Sequence, residues 1–180
     1  MFSHGVERAL TVALDAHSGQ TRKGSDVPYV VHPVHVAVLL ARLGASDDVI
    51  QAGILHDVVE DCDDWTSERI ADAFGDRVAG IVAEVTEDKT GTWTERKEFA
   101  IAHVPHLSPE ALLVKACDKL HNLESLARAL SDADDPASVW GRFTGGRERT
   151  IDMSTRLVAA LERRVVPELA GRLRAVLALL

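Results

Sequence analysis

The sequence predicts an all-α protein, and three observations carry that prediction. Apolar residues recur at helical spacing through most of the chain. Pro, Gly, Ser, Thr and Asp fall where helices start and stop. Aromatic residues make up only 4% of the composition while Ala, Leu and Val dominate, a balance that suits helices packed through aliphatic contacts better than a sheet. At 180 residues the chain is long enough for one compact domain, read here as 1–180, and too short for two comfortable ones. No internal repeat, low-complexity tract or domain linker interrupts it.

Each element follows from local signals. Val6, Leu10, Ala13 and Leu14 recur at helical spacing and predict a first helix ending near Ala16. The stretch HSGQTRKGSDVP, with two glycines, a proline and a basic pair, reads as a loop. Pro33 suits the first turn of a helix, so His32 stands just before or at its start, and Gly44 closes that helix. Ser46 or Asp47 caps a helix running through QAGILHDVVED. A short amphipathic helix follows Thr66, and Asp76 caps the next. DKTGTW is a break, after which Thr94 opens a helix that Pro105 ends. Ser108, Pro109 and Glu110 form the N-cap, first-turn proline and early acid of a long helix, ALLVKACDKLHNLESLARAL. Beyond it lie VWGRF, a glycine pair, a further helix, and a closing one from Pro167, all expected to pack on the preceding core.

Charge and cysteine usage exclude several function classes. A net charge of −8 repels a phosphate backbone, which argues against nucleic-acid binding, yet a metal or a few lysines can reverse the sign locally for a small anion. Cys62 and Cys117 form neither a zinc pairing nor a disulfide framework, and two thiols suit the cytoplasm. The N-terminus lacks the pattern of a signal peptide, and no apolar run reaches membrane-spanning length.

Chemistry concentrates in three segments. In ILHDVVED, adjacent His56 and Asp57 are followed at four-residue spacing by Glu60 and Asp61. Neighbours on a regular helix diverge by about 100°, so both grip one ion only at a helix end or a locally bent turn. So many ionisable groups beside Ile54, Leu55, Val58 and Val59 are costly unless paired or bound to a cation; the alternative is a solvated acidic helix end. In LLVKACDKLHNL, Asp118 sits within an apolar helix, with Asn122 four residues on; a local pair with Lys115 or Lys119 would also account for it. His32, in YVVHP, stands beside an apolar strip. Together these groups make a site of two imidazoles and two carboxylates, suited to Mn²⁺, Fe²⁺, Co²⁺ or Zn²⁺. Water on such an ion becomes a nucleophile near neutral pH, and Glu60 or Asp61 is placed to orient it or take its proton.

The order H…HD…D, read as YVVHP, LHDVVED and KACDKLHNL, resembles the HD-domain phosphohydrolases. It is most similar to the hydrolase domain of the RelA/SpoT-type enzymes and the stand-alone small alarmone hydrolases, over about Ala13 to Leu126. The resemblance implies a compact multi-helix bundle and a metal, commonly Mn²⁺, on His32, His56, Asp57 and Asp118. It implies catalytic acids at Glu60 and Asp61, nucleotide contacts at Arg22 and Lys23, and Asn122 near the ribose. The implied reaction removes the 3′-pyrophosphate of (p)ppGpp. Hydrolysis of another nucleotide, and a silent nucleotide-binding module, are the alternatives; a homo-oligomer stays open. Two positions depart from the pattern. Cys62 replaces a hydroxyl residue, and Glu124 stands where relatives carry Arg; it would weaken polyphosphate binding if turned inward and matter little if turned outward.

Overall fold

The computed structural model describes residues 3–180, which fold into eleven α-helices and one 3-10 turn with no strand among the described residues. The all-α expectation is met. Backbone contacts divide the chain into two compact units, Met1–Glu87 with Ser108–Asp118, and Asp88–Leu107 with Lys119–Leu180.

The first unit holds α1 (His4–Ala16), α2 (Val31–Arg42), α3 (Asp47–Leu55), α4 (Val58–Asp61), α5 (Ser67–Phe74), α6 (Asp76–Val85) and the start of α8 (Pro109–Asp132). Its axis is α3, which packs on α1, α2 and α6. Val49 and every residue from Gln51 to Leu55 are buried, the pattern of a helix surrounded by others rather than one with a wet face. Burial of each large side chain here, such as Leu40, Ile54 and Leu55, contributes about 1.5–3 kcal/mol. Close approach depends on Gly53, where a Cβ would collide with the Leu40 side chain. The cap of α2 is as expected, with Gly44 at φ 74° in the left-handed region that side chains avoid.

Three expectations are refined. The helix predicted through QAGILHDVVED is broken: α3 ends at Leu55, His56 and Asp57 form a turn, and α4 resumes at Val58. Gly75, at φ 86°, is the cap of α6, with Asp76 as its first residue. Thr92 rather than Thr94 opens α7 (Trp93–His103), because its hydroxyl and Glu95 form a reciprocal capping box.

The second unit comprises α7, the 3-10 turn Val104–His106, the remainder of α8, α9 (Pro136–Trp140), α10 (Gly146–Leu161) and α11 (Pro167–Leu177). Here α10 packs on α7 and α11. Arg156 on α10 grips both carboxylate oxygens of Glu98 on α7 at 2.6 Å. Arg164 donates to the carbonyls of Val104 and Leu107. Trp140, Val139 and Leu126 form an apolar cluster with Phe143 and Ile151 around it. No helix among the described residues is long and apolar enough to cross a membrane.

Candidate metal centre

Every residue of the centre belongs to the first unit. His32 lies in the first turn of α2, where Pro33 follows without loss because that turn has no intrahelical use for its N–H. The helix break after Leu55 turns His56 and Asp57 toward the same point, the locally bent turn that such a pair requires. Asp118 comes from α8.

Three of the four predicted ligands converge: one donor atom each from His32, His56 and Asp118 lies within 4.8 Å of the others. Asp57 stands beside the trio, its Oδ2 3.5 Å from His32 Nε2 and 3.2 Å from His56 Nε2. Asp118 Oδ1 is 3.2 Å and 3.8 Å from the same two nitrogens. Both imidazoles are buried, His32 to 1% and His56 to 5% exposure.

His56 is oriented from behind. Its Nδ1 donates to the Gly53 carbonyl at 2.8 Å, which leaves Nε2 as the lone-pair nitrogen when the ring is neutral. That Nε2 is buried, and no group meets it with hydrogen-bond geometry. A buried nitrogen of this kind, facing two carboxylates and a second imidazole, fits a divalent cation with mixed nitrogen and oxygen donors.

The charges are strongly coupled. Burial disfavours charge on His56, but the Asp57 carboxylate and then Asp118 outweigh it and lift the imidazole to about 9. Burial pushes Asp57 and Asp118 the other way, yet the facing imidazoles hold both well below the usual carboxylate range. A pH prediction follows for protein stripped of metal. Because the folded value for His56 is raised above its unfolded 6.5, the stability it contributes is complete below pH 6.5 and is lost as pH rises through about 9. A cation binding at this nitrogen would have to displace that proton, so its affinity is expected to climb as pH rises toward about 9. Melting of the stripped protein and Mn²⁺ titrations over this interval are expected to show opposite slopes.

The two acids follow on α4. Glu60 Oε2 accepts the Glu87 backbone N–H at 3.2 Å, which fixes the carboxylate. Burial raises its pKa, the Glu87 N–H partly offsets this, and the Asp57 charge adds to the rise, so Glu60 is a stronger base than an exposed glutamate. Asp61 is half-buried beside it, and its carbonyl accepts from Gln20 Nε2 at 3.3 Å.

Arg22 and Lys23 ride on the predicted loop, which is pinned as a narrow hairpin. Arg22 N–H donates to the Val27 carbonyl at 2.8 Å, and Tyr29 N–H to the Gln20 carbonyl at 2.9 Å. Arg22 lies over the Tyr29 ring, 5.5 Å from its centroid, while Lys23 is exposed. Asn122 is half-buried on α8, in the second unit. There too, Glu124 is paired with Arg172 of α11 at 2.9 Å, so its negative charge has a partner within that unit.

Sequence reasoning passed over Tyr29. Its hydroxyl donates to Asp57 Oδ2 at 2.7 Å. Burial, and then the Asp57 charge, raise the phenol far above its ordinary value, so it stays a donor. The available signal was compositional: this is the sole tyrosine of the chain, three residues before His32.

An all-helical scaffold that converges two imidazoles and two carboxylates, with two further acids close by, has a donor set suited to a divalent cation, the pattern of the histidine–aspartate class of hydrolases. Residues 9–140 match the HD domain family, and the chain belongs to it. It is 46% identical over 126 residues to the guanosine-3′,5′-bis(diphosphate) 3′-pyrophosphohydrolase MESH1 of Xenopus tropicalis, covering 68% of this chain and 70% of that one. The human enzyme of the same name is 42% identical over 123 residues, covering 67% and 68%. A solved structure described as a metazoan ortholog of SpoT that hydrolyses ppGpp superposes with a TM-score of 0.83 at 29% identity, covering 99% of this chain and 96% of that one.

Proposed function

We propose that this chain hydrolyses the 3′-diphosphate of (p)ppGpp with Mn²⁺ held by His32, His56, Asp57 and Asp118. The observation that carries the reading is the convergence of the His32, His56 and Asp118 donors within 4.8 Å, with Asp57 Oδ2 against both imidazoles. The relatives named above for this reaction supply the substrate. The cation, when bound, supplies Lewis acidity to water and phosphoryl oxygens.

The chain's own groups do the rest. Glu60, fixed by the Glu87 N–H and made more basic by burial, takes a proton from the attacking water. Asp61 orients that water. The new bond joins the water oxygen to the phosphorus attached at the ribose 3′ oxygen. The bond between that phosphorus and the 3′ oxygen breaks, the oxygen regains a proton, and pyrophosphate leaves with GDP or GTP as the other product. Arg22 and Lys23 neutralise phosphate charge from the hairpin, against the background of a net charge of −8. Cys62 and Cys117, both unbridged, support a cytoplasmic setting.

The test is direct. Mn²⁺-loaded protein is incubated with ppGpp and with a panel of other nucleotides, and pyrophosphate and GDP are quantified. Equimolar GDP and pyrophosphate from ppGpp are expected. Turnover of another nucleotide with none of ppGpp would overturn the substrate, and no turnover at all would favour a silent binding module, against which the retained Glu60 and Asp61 argue.

A further inference from the structure

We propose that Tyr29 is a positioning residue, holding the Asp57 carboxylate toward the cation through its hydroxyl and seating the Arg22 hairpin on its ring. The inference rests on the metal-centre reading above and adds to it a residue that none of the ligand or acid assignments includes.

Three contacts make the case. The Tyr29 hydroxyl meets Asp57 Oδ2 at 2.7 Å, and this is the same oxygen that lies 3.2 Å from His56 Nε2 and 3.5 Å from His32 Nε2. An aspartate at a helix break has freedom about its terminal torsion, so a fixed donor on one oxygen selects the orientation presented to an ion. The ring itself is held. Its centroid is 4.7 Å from that of His17 and 6.0 Å from that of His32, which it meets edge-on at 74°. His17 is buried and bonded through Nδ1 to Gln20 Oε1 at 2.9 Å, so the support behind the ring is ordered too. On the loop side, the Arg22 guanidinium lies 5.5 Å from the ring centroid, within the range of cation–π attraction. One side chain therefore joins the ligand shell to the segment that carries the basic pair.

The two halves of this role separate by mutation. Tyr29→Phe keeps the ring and removes the hydroxyl; Tyr29→Ala removes both. Mn²⁺ affinity is measured by equilibrium dialysis, the Co²⁺-substituted protein by its visible spectrum, and kcat and KM with ppGpp at saturating Mn²⁺. Tyr29→Phe is expected to weaken Mn²⁺ binding about 10–100-fold and alter the Co²⁺ spectrum, with KM near the wild-type value once metal saturates. Tyr29→Ala is expected to raise KM as well. Wild-type Mn²⁺ affinity and an unchanged Co²⁺ spectrum in Tyr29→Phe would overturn the proposal, even if its melting temperature falls, since the hydroxyl would then be merely structural. If the wild-type protein itself takes up no cation, the metal-centre reading fails first and carries this inference down with it.

Discussion

Alanine in place of His56 is expected to yield protein that retains no stoichiometric Mn²⁺ and whose kcat/KM falls by about 10³-fold or more. The size follows from what is lost. A cation's stabilisation of transition-state charge is worth several kcal/mol, and each 1.36 kcal/mol is tenfold in rate. His56 is one of the two imidazoles of the centre, and its Nε2 faces Asp57 at 3.2 Å and Asp118 at 3.8 Å. Its removal also leaves those carboxylates with one cationic partner fewer. In metal-stripped protein near pH 7, loss of a buried partner of this kind costs about 3–5 kcal/mol. Metal analysis of the purified variant, its melting temperature and its turnover of ppGpp check the three consequences separately. Full Mn²⁺ content in the variant would remove His56 from the ligand set.

Glu60→Gln is expected to behave differently, losing about 10²–10⁴-fold in kcat while retaining the metal. The amide is nearly isosteric, and its oxygen can still accept the Glu87 N–H that meets Glu60 Oε2 at 3.2 Å. What it cannot do is take a proton. Burial holds the Glu60 pKa above the ordinary carboxylate value. A base works only when deprotonated, so wild-type kcat should rise with pH through that elevated value. The rise should disappear in Glu60→Gln. A variant with normal kcat but poor Mn²⁺ retention would make Glu60 a ligand instead, and one that keeps the acidic limb would pass the role of base to Asp61.

Much of this was legible in the sequence because the strongest signals were local. Proline and glycine placed the ends of α2, α8 and α11, and the four proposed ligands announced themselves by chemical type in apolar surroundings. The helix break at His56 and Asp57 was harder to read. Apolar periodicity continues from Ile54 and Leu55 into Val58 and Val59, and the interruption is seen only where the His56 ring takes the Gly53 carbonyl. Glu124 was ambiguous for a related reason: its partner, Arg172, is 48 residues away, and no spacing rule connects them. Tyr29 was hidden by its chemistry, since a phenol beside an apolar strip looks like packing until its hydroxyl is seen on Asp57.

The burial of α3 from Gln51 to Leu55 has a consequence for how this protein tolerates change. Leu55 at the end of that helix is fully buried, and His56 and Asp57 are the next two residues. The carbonyl that orients His56 belongs to Gly53, the residue on which Leu40 leans. Interior volume and the aim of the proposed ligands are thus set by one short rod. A larger or smaller side chain at Ala52 or Ile54 would move the rod's end along with its flanks. Core substitutions that other folds absorb as a modest loss of melting temperature would here register in cation affinity as well, and repacking this interior would mean retuning the reaction.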